Sequence, residues 1–435
     1  MRARILLFTL LWGMLALTLL VSTPIRAAER SGEPPTVQEL LDILRANGVI
    51  TEQEYHRLRA RERQAPEPKP VAKSRGGEKK EKGWWEDVEL GYDRGAYLKT
   101  RDGRFSLKLN TRLQFLYDAE ILDNKGDKNT FRIRRARLIA GGNFLYPWLK
   151  YKTQITLEGS KAALRDYFLE ATYLGWLKPK IGQFKVPFDR EFLTSSAKLQ
   201  LIERSIASSE FSLQRDVGVQ ISGQLLRNRL EYRVGIFNGS AANQTNQDQD
   251  FFYAARLVVT PFGRYPYSQG ALDGPVSPRL AIGLGLAGLP GLEPGERATL
   301  GGKLGSRLDV ESDVLQLTPD FAWKYRGISV EAAYHFRHID PRRPGLSTVD
   351  SQGFFVQGGY FLLPGHLEIA SRIAWVDPNT DVADDTQREG TVGVTYFVWG
   401  HRLKAQLNYT FLKTDVPGGE DREDSLVRTM ISFYF

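Results

Sequence analysis

The sequence contains no cysteine among its 435 residues, and beyond residue 21 it has no apolar run long enough for a transmembrane helix. The absence of cysteine rules out a lipidated cysteine at the mature amino terminus and suits export through an oxidising periplasm, where stray thiols would cross-pair. Mean hydropathy is −0.34, which is low for a helical membrane protein. It fits a β-barrel, in which only alternate residues meet lipid.

Residues 1–27 have the pattern of a secretory signal peptide. Arg2 and Arg4 supply a basic start, residues 5–21 are largely apolar, and Ile25-Arg26-Ala27 offers a cleavage site. An uncleaved anchor helix is the alternative, although the apolar stretch is short for one.

The segment after the signal peptide carries two helix starts. Thr36-Val-Gln-Glu39 and Thr51-Glu-Gln-Glu54 are capping boxes that precede apolar residues at helical spacing. They predict a periplasmic helical hairpin within 28–63, which is too small to fold alone. Residues 36–63 are expected to pack on copies of themselves or on another periplasmic surface, or to contact the cell wall. A weakly ordered spacer is the alternative. Residues 64–83, rich in Pro, Lys, Glu and Gly, are predicted to be a disordered linker.

The barrel is predicted over 84–435, with 88–100 as a periplasmic extra strand or plug. From Phe105 onward sixteen strand-like runs alternate between short and long connections. Short periplasmic turns and long outer loops are typical of bacterial barrels. The predicted fold is therefore all-β and transmembrane, an antiparallel outer-membrane β-barrel of about 16 strands. The short connections are predicted at 146–148, 177, 228, 327, 364–365 and 400–401, with a longer one at 264–277, and the long ones at 119–129, 159–164, 187–214, 239–250, 289–311, 339–350, 377–387 and 414–424.

Side chains alternate within these runs. Leu403, Leu407 and Phe411 share one face of their run, opposite polar and charged residues. The final run, 424–435, alternates in the same way and ends in an aromatic residue. Because no backbone group can stay unpaired in lipid, we expect this last strand to pair with the first. A soluble secreted β-protein would also alternate, and it stays the alternative.

The strongest local feature is Phe131-Arg-Ile-Arg-Arg-Ala-Arg-Leu138. In a regular strand Arg132 and Arg134 share one face, and Arg135 and Arg137 share the other. Two arginines facing lipid near mid-membrane would cost about 2–4 kcal/mol each. A β-bulge at Arg134-Arg135 would turn all four inward. The alternative places Arg135 and Arg137 in a subunit interface or above the lipid.

The inward faces hold more basic than acidic residues. A narrow pore with excess positive charge concentrates anions and repels cations. The alternative is that these charges only pair with one another and hydrate the lumen. The predicted anion-binding and pore-lining residues are Arg134, Arg135, Arg132, Arg137, Lys108, Arg112, Lys150 and Lys152; Arg233, Arg256, Arg337, Arg372, Arg402, Lys404 and Arg428 are also predicted to face the lumen.

The connection 187–214 is long and lacks a strand pattern of its own. Its apolar residues include Phe188, Phe192 and Leu201. We expect it to fold into the barrel and narrow it, because this much apolar surface would be unfavourable in water. The alternative is packing at a trimer rim. The predicted constriction residues are Arg190, Lys198 and Arg204.

The arginine-rich run and four later blocks resemble the phosphate-selective porin family, porins O and P. The blocks are Ile181-Gly-Gln-Phe-Lys-Val-Pro-Phe188, Glu203-Arg-Ser205, Arg215-Asp-Val-Gly218 and Gly235-Ile-Phe-Asn-Gly239. The resemblance covers most of 84–435. It implies a sixteen-stranded, trimeric outer-membrane channel that passes phosphate or other anions without energy input. It also implies that Arg134 and Arg135 match the paired arginine at the central anion site of the family.

No signature of an enzyme, a metal site, a cofactor site or nucleic-acid binding stands out. His335 and His338 fall on opposite faces of a strand, so a shared metal is not expected. The sequence predicts a passive porin for small anions, phosphate or related oxyanions, in the outer membrane of a Gram-negative-type bacterium. Its predicted partners are small inorganic anions, membrane lipid, lipopolysaccharide and two further copies in a homotrimer. A general solute porin, a structural tether and an outer-membrane hydrolase are the alternatives.

Overall fold

The computed structural model describes residues 42, 45, 52, 55, 56, 87–123, 126–159, 162–246, 248–294, 300 and 309–435. The predicted signal peptide and the predicted linker lie outside the described residues. The chain divides into two units, one holding residues 84–435 and the other residues 21–83. Among the residues that the structure describes, no helix has the length and apolar character needed to cross a membrane.

In the unit 21–83 the described residues are Asp42, Arg45, Glu52, Tyr55 and His56, all of them helical. The Tyr55 hydroxyl donates to a carboxylate oxygen of Asp42 at 2.5 Å, and Arg45 lies over the Tyr55 ring. Arg45 also pairs with Glu52 at 3.4 Å. These contacts join residues of the two predicted helices. The remainder of both helices lies outside the described residues, so the hairpin stays a prediction.

The unit 84–435 is built on one antiparallel sheet, which contains every strand of the described residues. The strands are β1 (Val88–Tyr92), β2 (Ala96–Thr100), β3 (Ser106–Ile121), β4 (Lys128–Asn143), β5 (Leu149–Thr156), β6 (Ala163–Ala171), β7 (Lys178–Lys185), β8 (Arg215–Leu225), β9 (Leu230–Phe237), β10 (Phe252–Val259), β11 (Arg279–Leu292), β12 (Ser312–Tyr325), β13 (Ile328–Pro341), β14 (Val349–Leu363), β15 (Leu367–Asp377), β16 (Gln387–Phe397), β17 (Leu403–Thr414) and β18 (Arg422–Tyr434).

Strands β3 to β18 close into a barrel of sixteen strands. β18 pairs with β3 from Ser425 opposite Ile121 to Tyr434 opposite Arg112. Beyond this ladder, Thr111 and Phe435 exchange both backbone hydrogen bonds. Closure leaves the ring β3–β18 without an open edge, which is what a lipid environment requires. The predicted strand number and the alternation of short and long connections are confirmed.

The two faces of the barrel differ in polarity. Outward side chains such as Ile373 and Val392 are apolar and 60% and 56% exposed, whereas Arg337 and Lys404 are inside and fully buried. This arrangement is the inverse of a water-soluble β-protein, which buries its apolar face. The alternative of a soluble secreted β-protein is therefore wrong.

Two β-bulges reorient arginines toward the interior. The β3–β4 register shifts between Gln114, opposite Arg135, and Phe115, opposite Ile133, so that Arg134 is the extra residue. The β5–β6 register shifts in the same way and leaves Arg165 as the extra residue. A bulge interrupts the two-residue alternation, so neighbouring residues can share one face.

Residues 88–100 form a two-stranded hairpin, where we expected an extra strand or a plug. β1 and β2 pair with each other, and β2 continues along the edge of β3 at Ser106–Leu109. β18 pairs with the next part of the same β3 edge, from Arg112 to Ile121. The hairpin therefore lengthens the barrel wall at the end that carries the short turns.

The connection between β7 and β8 folds into the barrel, as expected. It contains the helices α1 (Arg190–Leu193) and α2 (Ile206–Phe211). The Asp189 carboxylate caps α1 by accepting from the backbone N–H groups of Glu191 and Phe192 at 3.1 and 2.8 Å. Most apolar side chains of this inward loop, residues 186–214, are buried; among them are Phe188, Leu199, Leu201, Ile202 and Phe211.

A second segment enters the barrel from the opposite end. The connection 260–278 between β10 and β11 is the longest connection at the end of the barrel that carries the short turns. Gln269 and Ala271 within it are buried. The Gln269 backbone N–H donates to the carbonyl of Lys198 at 3.0 Å, and its side-chain oxygen accepts from the Gln200 N–H at 3.0 Å. We call residues 260–278 the inserted turn. It meets the inward loop inside the barrel.

Replacing the outward Ile373 with arginine tests which face of the barrel meets lipid. We expect Ile373→Arg to lower the free energy of unfolding by about 2–4 kcal/mol, because it places a charge in the lipid-facing wall. Ile373→Leu is the matched control and should change it by less than about 1.5 kcal/mol. The measurement is urea unfolding in lipid vesicles, followed by tryptophan fluorescence. Equal stabilities of the two variants would contradict a lipid-facing wall.

Candidate functional site

The inward loop and the inserted turn fill one side of the barrel and leave an open cavity on the other. The cavity has a volume of about 1120 Å³. Its walls come from the inner faces of β3 to β9, from the middle of the inward loop, from the 399–402 turn and from Arg94 of the β1–β2 hairpin. The open space inside the barrel therefore lies along β3–β9.

The lining of this cavity is strongly basic. Fifteen lysine or arginine side chains reach it, against two carboxylates, those of Glu158 and Asp166. Such an excess gives the cavity a positive potential, which low-dielectric walls strengthen. The basic residues are Arg94, Lys108, Arg112, Arg134, Arg135, Arg137, Lys152, Arg165, Lys180, Lys185, Lys198, Arg204, Arg215, Arg233 and Arg402.

Arg134 and Arg135 meet at Glu203 of the inward loop. Nε and Nη2 of Arg134 donate to the two oxygens of the Glu203 carboxylate, the second at 3.0 Å. Arg135 Nη2 donates to Oε2 at 3.2 Å. Burial disfavours the Glu203 charge, but Arg135 and Arg134 outweigh it and lower the pKa of this carboxyl group to about 2. Glu203 is therefore ionised at neutral and mildly acidic pH.

A second cluster surrounds Asp166 in β6. Its carboxylate accepts from Lys152 Nζ at 2.7 Å and from Arg215 Nε at 2.6 Å. Arg165, the bulge residue beside it, also lines the cavity, and within the described residues its buried Nε has no hydrogen-bond partner. Sequence reasoning missed Arg165 and Arg215. The local hint for Arg165 was the Arg165-Asp166 pair inside an alternating run, which a bulge brings to one face but which does not by itself require a bulge.

Two basic side chains hold the start of the inward loop. Lys185 Nζ donates to the carbonyls of Leu193 and Thr194 at 3.1 and 3.2 Å, and Arg204 Nη2 donates to the same Thr194 carbonyl at 2.9 Å. Burial lowers the pKa of Arg204 to about 10, so the group stays protonated at neutral pH. These carbonyls carry no formal charge, and the Arg204 guanidinium group therefore adds to the positive potential of the cavity.

Most of the residues predicted from sequence lie at this cavity. Arg112 donates to the Ser195 and Ser196 hydroxyls of the inward loop, at 3.0 Å each. These two hydrogen bonds hold the inward loop against β3. The predicted residues that the structure brings together here are Lys108, Arg112, Arg134, Arg135, Arg137, Lys152, Lys198 and Arg204.

Three predicted residues lie elsewhere. Arg132 faces inward above the cavity and pairs with Asp118 at 2.7 Å. Lys150 lies beside a smaller hollow of about 700 Å³ next to the β1–β2 hairpin. Arg190, expected at the constriction, is instead buried against the inserted turn, where it donates to the Pro266 carbonyl at 3.1 Å.

Four basic residues predicted to face the open lumen are covered by the inward loop. Arg256 pairs with Asp320 at 2.7 Å, and Lys404 donates to the Leu199 carbonyl at 2.7 Å. Their side chains do point inward, but the loop packs over this part of the wall. Sequence alternation gives the face of a residue and cannot report what covers it. The four residues are Arg256, Arg337, Arg372 and Lys404.

Within the described residues, no group of three or more His, Cys, Asp or Glu side chains is placed to hold a metal ion. His335 is fully buried and stacks on the Phe211 ring, with centroids 5.4 Å apart. His338 pairs with Asp350 at 2.6 Å.

A family model described as phosphate-selective porin O and P matches residues 105–435. The chain belongs to this family. It is an outer-membrane porin of a Gram-negative bacterium, and the resemblance noted in the sequence is confirmed. A protein of Aquifex aeolicus (strain VF5), described as uncharacterized, is 22% identical to this porin, with 76% of this chain and 87% of the relative covered.

Solved structures share the fold of this porin. An anion-selective porin from Comamonas acidovorans aligns with a TM-score of 0.57 and 14% identity, over 76% of this chain and 99% of that one. The outer-membrane channel DcaP of Acinetobacter baumannii aligns with a TM-score of 0.51 and 15% identity, over 78% and 99%. Salmonella typhi OmpF, in a complex with daunomycin, gives a TM-score of 0.53 and 11% identity, over 80% and 100%.

Gln200 anchors the inward loop to several strands of the barrel wall. Its amide nitrogen donates to Ser329 and to Glu368, at 2.7 Å each, and its amide oxygen accepts from Gln357 at 2.8 Å. The Gln200 carbonyl accepts from Gln406 at 2.8 Å. One residue thus connects the loop to β13, β14, β15 and β17.

Replacing Gln200 with alanine should release the loop from this wall. Each buried polar group left without a partner costs about 1–3 kcal/mol, so we expect faster hydrogen exchange across residues 187–214 and noisier single-channel currents. Lys198→Ala, an exposed change in the same loop, is the control and should leave exchange unchanged. Equal protection in the wild type and Gln200→Ala would contradict an anchoring role.

Proposed function

We propose that this porin is a passive diffusion channel for small anions, with phosphate or related oxyanions among its solutes. The observation that carries the proposal is the lining of the cavity, with fifteen basic side chains against two carboxylates. A pore with this excess concentrates anions and excludes cations. Arginine supplies most of the basic groups, and its planar donors match the oxygens of phosphate and carboxylate.

The path is narrow because the inward loop occupies the other half of the barrel. An anion crossing the barrel would first meet Arg132 and Arg428 near the long loops. It would then pass Arg134 and Arg135 and reach Lys108 at the end of the barrel that carries the short turns. No energy source is needed, since the electrostatic potential only lowers the barrier for a solute that moves down its own gradient. The name of the Comamonas neighbour, an anion-selective porin, agrees with this proposal.

A general solute porin without phosphate preference is the second candidate. Acidic residues are exposed on the long loops 378–386 and 415–421, among them Asp381, Asp384, Glu420 and Asp421. A carboxylate-rich mouth does not attract phosphate from a distance. Selectivity would then depend on the interior alone.

Partners follow from the surfaces of the barrel. We infer contact of the apolar outer wall with membrane lipid and lipopolysaccharide, and assembly into a homotrimer, as the family resemblance implies. Contact between residues 36–63 and the cell wall or a periplasmic surface stays a proposal, since it rests on the sequence pattern alone.

Ion selectivity tests the proposal directly. In planar bilayers under a KCl gradient, the purified full chain should give a reversal potential of the sign expected for chloride passage, because the cavity repels potassium ions. A potential of the opposite sign would contradict an anion channel, and the absence of conductance steps would favour a tether.

Charge reversal tests the role of the arginine pair. The double change Arg134→Glu and Arg135→Glu should weaken or invert the reversal potential, because it replaces two positive charges with two negative ones beside the path. Arg326→Glu, at an exposed turn away from the cavity, is the matched control and should leave it unchanged. An unaltered potential in the double variant would remove the pair from the selectivity filter.

A further inference from the structure

The arginine pair, Arg134 and Arg135, already binds an anionic group of the protein, the carboxylate of Glu203. Arg134 presents its Nε–Nη2 edge to both oxygens of the Glu203 carboxylate, and Arg135 adds a third hydrogen bond. This two-point geometry is the one that a phosphate or carboxylate solute would use on a guanidinium group. Glu203 thus occupies the donors that would otherwise be free for a passing anion.

The carboxylate is held in this position from the far wall. Arg372 of β15 donates to the Glu203 backbone carbonyl at 3.0 Å and is itself fixed by Glu389 at 2.6 Å. The Ile206 N–H also donates to Glu389, at 2.9 Å. The loop therefore spans the barrel from β15 and β16 to β4, and Glu203 has little freedom to leave the arginines.

Solvent still reaches the contact. The side chain of Arg134 is 35% exposed and that of Glu203 is 23% exposed, whereas Arg135 is nearly buried. A solute anion can therefore approach Arg134 while Glu203 remains in place. Two guanidinium groups and one carboxylate leave a single net positive charge at this point of the path.

We propose that Glu203 is a specificity-determining residue that acts as a built-in competitor, so that anions pass the arginine pair without being held there. This inference rests on the proposed anion channel. Glu203 weakens the binding of a divalent oxyanion most, because the attraction between the anion and the arginine pair scales with the charge of the anion. Such an anion would also form two hydrogen bonds with the Nε–Nη2 edge of Arg134, which Glu203 occupies. A monovalent anion such as chloride is affected less, because its attraction to the pair is about half as large.

The test is phosphate block of the chloride current through single channels of the full chain in planar bilayers. In Glu203→Gln and in Glu203→Ala, the phosphate concentration that halves the current should fall by about tenfold or more, since removal of one charge at this distance is worth at least that factor. Glu203→Asp keeps the charge and should stay close to the wild type. Two neutral variants are used because one of them alone could fail to fold.

Asp102→Asn is the matched control. It also removes one carboxylate charge, but Asp102 is exposed at the turn between β2 and β3 and does not line the cavity. We expect its half-blocking concentration to change by less than about twofold, because a charge at the surface is screened by water and salt. Unchanged block in both neutral Glu203 variants would overturn the inference, and so would an equal change in Asp102→Asn. Failure of the proposed function is distinguishable, because the wild type itself would then lack anion selectivity.

Discussion

The pairing of every backbone amide in a closed ring is the constraint on which the rest of this porin depends. Lipid offers no hydrogen bonds, so β18 must meet β3, and the wall must turn its apolar side chains outward. All polar side chains are then directed into one enclosed space. Many of them are arginine and lysine, which need carbonyls, carboxylates or solute anions as partners. The inward loop supplies partners for some of these side chains, and others line the open cavity.

The inward loop divides the basic residues into two groups with different roles. Under the loop, Arg256, Arg337, Arg372 and Lys404 are satisfied by fixed protein partners and stabilise its position. Along the open side, Arg165 and Arg204 line the cavity, and within the described residues neither forms a salt bridge with a carboxylate. Arginine therefore serves both in the buried scaffold and in the cavity lining, and the difference lies in what packs against it.

Strand number, connection lengths and the inward loop could be predicted because each follows from a local pattern. Alternation of two residues sets the face of a side chain, and apolar content in 187–214 requires burial. The bulge at Arg134 was predictable because the regular alternative placed two charges in lipid. The bulge at Arg165 was not, since a single Arg-Asp pair leaves the register ambiguous. The position of Arg190 and the insertion of residues 260–278 depend on contacts between distant segments, which no local pattern encodes.

The meeting of the inserted turn with the inward loop links the two mouths of the barrel. Gln269 belongs to a connection that starts and ends at the short-turn rim, yet it is hydrogen-bonded to Lys198 and Gln200 of a segment that starts at the opposite rim. A substitution that displaces the inserted turn therefore also disturbs the inward loop at Lys198 and Gln200, a few residues before Glu203.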